Sequence, residues 1–183
     1  MNNLERLGAS FRDPSGFLFK RDGVLYRQVN TSYRKAYDHL MSSGLYDALT
    51  ASHKMVAHTE TNEPPAEPDR AYKVIQPELI PMISYPYEWS FSEMKDAALL
   101  TLEVGRMALK QNMILKDASA YNIQFLDGKP ILIDTLSFDI YHEGQLWDGY
   151  RQFCQHFLAP LALASLVDIR LMQLMRVYID GIS

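Results

Sequence analysis

The segment LKDASAYNIQFLDGKPILIDTLSF, residues 115–138, decides the fold of this chain. Asp117 precedes Asn122 by five positions, and Asn122 opens an apolar run that turns at Asp127-Gly128 and ends on Asp134. An Asp-Gly pair between two apolar runs is typical of a tight β-hairpin. Such a hairpin brings the side chains of Asp117, Asn122 and Asp134 to the same end of its two strands.

An acid, an amide and a second acid at one end of a hairpin are groups that phosphoryl transfer uses. The carboxylate of Asp117 is placed to accept or orient the proton of an acceptor hydroxyl. The oxygens of Asn122 and Asp134 suit Mg²⁺, which prefers oxygen ligands. We therefore predict Asp117 as the catalytic residue, Asn122 and Asp134 as metal ligands, and Mg²⁺ with ATP as cofactors. The alternative is that all three occupy ordinary turns, where Asp and Asn are common.

The N-terminal part of the chain predicts a small sheet. Phe17–Val29 contains two runs of aromatic and branched residues around Asp22-Gly23, a pair that favours a type I′ hairpin turn. Tyr72–Ile75 and Leu79–Ser84 predict two further extended segments. His58–Arg70 is acidic and carries three prolines, which indicates a mobile loop.

Helix signals follow the sheet signals along the chain. Thr31 or Ser32 is placed to cap a first helix that Gly44 ends. A longer helix is predicted after Ser90, which forms a capping box with Glu93. The predicted apolar face of this helix, including a glycine that would allow another element to approach closely, is Ala98, Leu102, Gly105 and Leu109.

The order of these elements predicts an α+β fold with a small antiparallel sheet and a reduced helical lobe. After the 115–138 hairpin, a final helical region is expected from Trp147, kinked or broken at Pro160. With 183 residues the chain fits one domain. We divide this domain into a sheet-bearing half, residues 1–84, and a mainly helical half, residues 85–183.

Composition and charge exclude several classes of protein. The chain is 48% hydrophobic and 22% charged, which is typical of a folded globular domain. Its net charge of -4 argues against nucleic acid as a partner. Cys154 is the single cysteine, so no intrachain disulfide can form. Charged residues interrupt both the N-terminus and the apolar segment 158–179, so we predict a cytoplasmic protein without a membrane span.

Four residues are candidates for nucleotide binding. Arg27 occupies the best strand position for a cation that faces phosphate, and Lys73 is the second choice. Tyr85 and Tyr87 belong to an aromatic run that could stack on a base. Surface ion pairs and core packing are the alternative roles for these residues. No two glycines are separated by a single residue, so no G-x-G turn is present, and the sequence contains no Walker A loop either.

The 115–138 motif resembles the catalytic and metal-binding loops of the protein-kinase-like superfamily, especially the branch with aminoglycoside and choline kinases. That resemblance implies a kinase-like fold and the roles given above to Asp117, Asn122 and Asp134. The chain departs from the family pattern at Leu115, where a His is usual, and at Thr135-Leu136, where Phe-Gly or a similar pair is usual. Both departures concern catalysis more than the geometry of the metal site.

A second resemblance covers much of the chain. It rests on ISYPYEWSFSEMKDAALLTL from Ile83, LKDASAYNIQF from Leu115, ILIDTLSF from Ile131 and YRQFCQHFLAPLAL from Tyr150. These phrases are similar to the N-terminal part of a bacterial family labelled class I SAM-dependent methyltransferases, some members of which are called nodulation-related proteins. The resemblance implies a longer protein whose Rossmann-like methyltransferase domain lies outside this chain. We therefore do not expect SAM to bind these residues alone.

Three functions follow as hypotheses. The first is a kinase-like module that binds nucleotide and Mg²⁺ and transfers phosphate to a small polar substrate. The second is a catalytically silent domain that positions a substrate or partner for a methyltransferase domain. The third is a direct contribution to methyl transfer; any activity would make the protein a transferase. Apolar residues near the C-terminal end of the chain also predict self-association.

Overall fold

The computed structural model describes residues 4–8 and 13–183, and these form a mixed α+β structure. The strands of the larger sheet are β1 Leu4–Arg6, β2 Gly16–Arg21, β3 Val24–Asn30, β4 His58–Thr61 and β5 Ala71–Pro77. All five are antiparallel to their neighbours, in the order β1-β2-β3-β5-β4. The predicted α+β class with a small antiparallel sheet is confirmed.

The predicted hairpin within Phe17–Val29 is confirmed as β2 and β3. Phe17 pairs with Gln28, and Arg21 pairs with Val24 at the turn. Asp22 and Gly23 both have positive φ, 50° and 83°, as a type I′ turn requires.

Two expectations around the proline-rich segment were wrong. His58–Thr61 is not a loop but β4, which pairs with β5 from His58 opposite Pro77 to Thr61 opposite Val74. An edge strand tolerates polar residues because one side of it faces solvent, and proline is tolerated where no ladder donor is needed. Residues 79–84 are not a strand, so extended structure ends at Pro77.

Two short helices pack behind the sheet. These are α1 Arg34–Ser42 and α2 Leu45–Ala51, and Gly44 between them adopts φ 82°. Neither Thr31 nor Ser32 caps α1, because both lie in the 3₁₀ turn Thr31–Tyr33 that precedes the helix. The buried residues Tyr37, Leu40, Leu45 and Leu49 join the main core.

The long helix α3, Phe91–Leu109, begins with the predicted capping box. Ser90 N donates to Glu93 Oε2 at 2.7 Å, and Glu93 N donates to Ser90 Oγ at 3.3 Å. The predicted apolar face was wrong for three of its four residues. Leu102 and Leu109 are 44% and 49% exposed, and no other element lies within 4 Å of a Cβ built on Gly105. The buried face is instead Met94, Ala97, Ala98, Leu100, Thr101, Val104 and Ala108.

Two small ladders follow α3. Strand β6, Met113–Leu115, pairs with β9, Phe138–Ile140. Strand β7, Ile123–Leu126, pairs with β8, Lys129–Leu132, and Asp127 and Gly128 in the turn have φ 51° and 73°. The predicted hairpin is thus confirmed. β8 also joins the two halves of the chain, because Leu132 N donates to Lys54 O and Leu132 O accepts from Val56 N.

The C-terminal helical region is continuous through Pro160. Helix α4, Tyr150–Phe153, passes into a π-helical turn at Cys154–Leu158 and then into α5, Ala159–Leu166. A 3₁₀ segment, Ile169–Arg176, follows. No helix within residues 4–8 and 13–183 is long and apolar enough to cross a membrane.

Candidate functional site

Ser137 holds the three residues of the predicted site together. Its amide donates to Asp134 O at 3.3 Å, and its carbonyl accepts from the amides of Lys116 and Asp117 at 2.8 and 3.3 Å. Its hydroxyl accepts from Asn122 Nδ2 at 3.2 Å. The network lies where β6 ends and where β7 and β9 begin, and it is buried, since Ser137 is 1% exposed. The structure therefore brings Asp117, Asn122 and Asp134 to one place.

Arg27 crosses from β3 to this place and pairs with two carboxylates. Its Nη1 lies 2.8 Å from Asp134 Oδ1, and its Nη2 lies 3.3 Å from Asp13 Oδ2. The Arg27 side chain is only 8% exposed, so solvent screens these pairs weakly. A buried guanidinium needs such partners, because an unpaired buried charge is strongly destabilising.

Each carboxylate in this group also accepts a hydrogen bond from its own turn. Asp13 Oδ1 accepts from Ser15 N at 2.8 Å, and Asp134 Oδ1 accepts from Leu136 N at 2.8 Å. Asp117 Oδ1 accepts from Ser119 N at 3.0 Å. All three are local Asx-type turns, which orient the carboxylates before any ligand is present.

Lys116 and Tyr33 close one side of the group. Lys116 Nζ donates to Ser15 Oγ at 2.8 Å and lies 4.6 Å from the centre of the Tyr33 ring. Tyr33 Oη donates to Phe138 O at 2.7 Å. Burial raises the pKa of Tyr33 well above its usual value, and the charge of Asp134 adds to that shift. Tyr33 therefore stays protonated beside this acidic group.

Gly16 and Leu136 pack the site against the large sheet. A Cβ built on Gly16 would lie 2.1 Å from Gln28 O and 2.8 Å from Leu136 Cδ1. Leu136 is 1% exposed, so its side chain fills the space in front of the first residue of β2. The segment after Asp134 is therefore in contact with the sheet.

Lys73 lies on β5 and its Nζ pairs with Glu60 of β4. Both residues line a surface cavity of about 630 Å³, whose other walls include Asn62, Pro64 and Pro68. Lys73 therefore lies beside the proline-rich segment. Of the two predicted cations, it is Arg27 that lies beside Asp134.

Tyr85 and Tyr87 stack on each other with 5.4 Å between ring centres and 7° between ring planes. The guanidinium of Arg176 lies 5.6 Å from the centre of the Tyr87 ring. Burial raises the pKa of Tyr121, and the charges of Tyr87, Asp180 and Tyr85 contribute to the rise. The aromatic pair therefore lies near Tyr121 and the C-terminal 3₁₀ segment.

A cavity of about 440 Å³ adjoins the segment that carries Asp117. One wall is formed by Ser119 and Tyr121, and the other walls come from residues 148–156 and 179–180. His156 in this wall is 4% exposed, and its burial lowers its pKa, although Asp117 and Asp180 act in the opposite direction. A neutral imidazole is therefore favoured here.

Three of these residues were not among the predicted site residues. Asp13 and Ser137 act through contacts with residues far along the chain, and nothing in their immediate surroundings predicts those partners. His156 lies in a strongly apolar stretch, which favoured an ordinary core residue. His156 lies in a π-helical turn, and such turns are frequent at functional sites. The structure therefore marks this residue where the sequence did not.

The donor set at the predicted metal site is small. Among the described residues there is no cluster of three or more His, Cys, Asp or Glu side chains suited to a metal ion. The predicted ligands Asn122 and Asp134 would supply one amide oxygen and one carboxylate, which is a set that Mg²⁺ accepts when phosphates and water complete it. The carboxylate, however, is paired with Arg27.

Comparison with known proteins relates the chain to part of a longer bacterial protein. No protein-family model matches the chain. It is 37% identical over 171 residues to nodulation protein NoeA of Rhizobium meliloti (strain 1021). The match covers 90% of this chain but only 34% of NoeA, so the chain spans about a third of the length of that curated relative. The chain is homologous to part of NoeA, and the nodulation-related part of the sequence prediction is confirmed.

Proposed function

We propose that this chain is a kinase-like domain that positions a substrate or partner within a NoeA-like protein and does not itself transfer phosphate. The observation that carries the proposal is the Arg27 guanidinium held between Asp13 and Asp134. The guanidinium pairs with the carboxylate of Asp134, which is the predicted metal ligand. It also holds the carboxylate of Asp13 at the same place.

The order of elements supports the kinase-like part of this proposal. In kinases a loop carries the catalytic Asp and, five residues later, an Asn, and a second Asp follows and binds Mg²⁺. Here β6 leads into the loop with Asp117 and Asn122, the β7-β8 hairpin leads to Asp134, and β9 returns to pair with β6. The large sheet supplies Arg27 from β3, the strand that carries the kinase lysine.

The charges support the second part of the proposal, that the domain does not itself transfer phosphate. A kinase covers the nucleotide phosphates with a glycine-rich loop whose backbone donates hydrogen bonds. The sequence between β1 and β2 has Gly8 as its only glycine, and the carboxylate of Asp13, just before β2, lies 3.3 Å from Arg27 Nη2. A triphosphate entering here would meet two carboxylates and would have to displace at least one of them from Arg27. Like charges at such distances oppose binding in a weakly screened site.

The size of the relative supports a positioning role. NoeA is about three times as long as the matched region, so a domain of this kind acts beside other parts of a longer protein. Holding a ligand or partner requires no phosphotransfer chemistry. It does require a rigid frame, and the network around Ser137 together with the core shared by both halves supplies one.

A thermal-shift titration with ATP and Mg²⁺ tests the proposal. We expect no change in Tm at millimolar nucleotide, because Arg27 remains paired with Asp13 and Asp134. The matched variants are Asp134→Asn, which removes the predicted metal carboxylate, and Asp127→Asn at the exposed hairpin turn as a control. A rise in Tm with the native chain that Asp134→Asn abolishes and Asp127→Asn keeps would overturn it.

Nucleotide and Mg²⁺ binding is the second candidate function, and one atom favours it. Arg27 Nε is buried and has no partner among the described residues. A buried N–H donor without a partner costs about 1–3 kcal/mol, and a phosphate oxygen would satisfy it. For this candidate, Asp13→Asn should increase the rise in Tm with ATP and Mg²⁺, since it removes a carboxylate from beside Arg27, where the phosphates would bind. An unchanged Tm in Asp13→Asn would remove this candidate as well.

A further inference from the structure

The cavity beside Tyr121 is built by the C-terminal tail of the described chain. Its volume of about 440 Å³ lies within the range of small-molecule sites. Ile182 N donates to Gln155 O at 2.9 Å and fixes the tail to the π-helical turn. Gly181 has φ 94°, and a Cβ on it would lie 2.6 Å from Gln155 Cβ. The tail is thus held at a fixed position, with Asp180 in the cavity wall.

Pro160 explains why Gln155 is free to hold the tail. A proline ring clashes with the carbonyl four residues earlier, and it offers no N–H. The helix widens here, so that Ala159 N donates to Cys154 O, five residues back. Gln155 O would need the amide of residue 160 in this register. It accepts from Ile182 instead.

Backbone hydrogen bonds on the C-terminal side of Asp180 hold it in place. Gly181 N donates to Tyr178 O at 3.0 Å, and Ile182 N donates to Gln155 O at 2.9 Å. The position of Asp180 is therefore set through the main chain of its neighbours. Its carboxylate takes no part in that anchoring and remains available to the cavity.

Several polar groups in the cavity are already satisfied. Gln152 Oε1 accepts from Ala118 N at 2.7 Å, and Asp148 Oδ2 accepts from Gln145 Nε2 at 2.9 Å. Ser119 Oγ accepts from Tyr121 N at 3.2 Å. Because these three polar side chains already bond within the protein, they are only partly available to a ligand.

Arg151 and Asp180 remain, and they have opposite charges. Neither takes part in an ion pair of 4.0 Å or less within the part of the chain that the structure describes. They share one cavity without neutralising each other. Both residues are exposed to solvent, so a ligand with one charge would pair with one of them and leave the other in water. A polyanion would also meet the carboxylate of Asp148.

We infer that this cavity binds a small zwitterion with an ammonium and a carboxylate, such as a free amino acid, whose carboxylate pairs with Arg151 and whose ammonium pairs with Asp180. Tyr121 offers an apolar surface for the side group of the ligand. The inference rests on the proposed positioning function and names its substrate class. The bound molecule would lie beside Ser119, two positions along the chain from Asp117.

NMR titration of the ¹⁵N-labelled chain tests this inference. The probes are glycine, L-alanine and L-phenylalanine, each up to about 20 mM, a range that detects millimolar affinity. We expect saturable shifts of the amides of Tyr121, Gln155 and Gly181. Arg151→Ala and Asp180→Asn should each weaken binding at least about tenfold, as the loss of a charge-assisted hydrogen bond does. Arg170→Ala, at an exposed ion pair outside the cavity, is the control.

Ligands that carry only one of the two charges give a second, independent readout. Propionate should bind weakly in a manner that depends on Arg151 alone, and ethylamine in a manner that depends on Asp180 alone. An absence of saturable shifts, equal shifts in the cavity variants and the native chain, or binding of ethylamine only would overturn the inference. Because none of these measurements uses Arg27 or nucleotide, a failure here is distinguishable from a failure in the ATP titration.

Discussion

Gly16 is the residue whose identity the site constrains most directly. Gly16→Ala would place a Cβ 2.1 Å from Gln28 O, a backbone atom of β3 that cannot move without disturbing the sheet. We expect the free energy of unfolding to fall by about 1–3 kcal/mol, as in overpacked cores. Urea denaturation measures it. Gly105→Ala is the matched control, because its Cβ meets nothing within 4 Å and the helix should gain up to ~1 kcal/mol. Equal losses in both variants would contradict the structure.

His58 is a buried titratable residue outside the site. Its Nε2 lies 3.0 Å from Tyr37 Oη, and its ring packs edge-on against Tyr46 with 4.7 Å between centres. Burial lowers its pKa from 6.5 to about 4, although Glu60 opposes the shift. The folded protein therefore disfavours the imidazolium form.

This depressed pKa gives stability a defined pH dependence. Between pH 6.5 and about 4 the unfolded chain binds the proton more readily, so the contribution of His58 is present above pH 6.5 and is lost as pH falls. The loss should approach about 3 kcal/mol by pH 4. His58→Gln should flatten the curve of unfolding free energy against pH, while the exposed His142→Gln should not. A native curve and a His58→Gln curve that run parallel would contradict this.

Residues with local signals were predictable, and residues with distant partners were not. Asp127-Gly128 and the Ser90–Glu93 capping box depend on neighbours in the chain, so their sequence pattern sufficed. The grouping of Asp117, Asn122 and Asp134 followed from one hairpin. Asp13 could not be placed, because its role depends on a side chain fourteen positions away on another strand.

The helical region around Pro160 shows how one residue shapes an element. A π-helical turn avoids the clash of the proline ring with the carbonyl of His156 and leaves Gln155 O for the tail. The sequence predicted a kink or break here, since the effect of proline on a helix is local. Whether the helix breaks or widens depends on what else can bond the freed carbonyl, and that partner, Ile182, lies 27 positions away from Gln155.

Pro160→Ala should restore the α-helical register. The amide of residue 159 could then donate to Gln155 O, four residues back, and Ile182 N would lose its acceptor. We expect the amide of Ile182 to exchange with solvent at least about tenfold faster, while global stability changes by less than ~1 kcal/mol. Hydrogen exchange followed by NMR measures both. Ser165→Ala, further along α5 at an exposed position, should leave the exchange of Ile182 unchanged. Unaltered protection of Ile182 in Pro160→Ala would exclude the proposed register change.

Long-range pairing explains the elements that the sequence missed. His58–Thr61 has acidic and polar residues that indicate a loop, yet it forms β4 because β5 offers an edge. The buried face of α3 was misplaced for a related reason. Its small residues Ala97, Ala98 and Ala108 are buried, while Leu102 and Leu109 are exposed, which periodicity alone does not distinguish.

At the scale of the whole molecule, the predicted site lies where the two halves meet. One buried cluster includes residues of the large sheet, α1, α2, α3 and the C-terminal helices. Arg27 from the sheet reaches Asp134 in the other half, and the backbone of Leu132 bonds to Lys54 and Val56. A change at this junction therefore affects the site and the packing of the halves together.

The C-terminal helical region also carries a concentration of exposed apolar side chains. Leu166 is 83% exposed, Val167 71% and Ile169 56%, and these three lie within four positions of one another. Contiguous apolar surface of this kind promotes association in water. We therefore expect the isolated chain to self-associate as its concentration rises, through residues 166–169.

Sedimentation velocity between about 10 and 500 µM tests this expectation, since weak association of roughly −6 kcal/mol is populated in that range. The double variant Leu166→Glu/Val167→Glu should remain monomeric, because a charge on each side chain must be desolvated to form the contact. Val24→Glu, on the partly exposed hairpin of the other half, is the control and should associate like the native chain. Self-association that is equally strong in the double variant would place the contact elsewhere, and a native chain that stays monomeric throughout would show that this surface does not drive association.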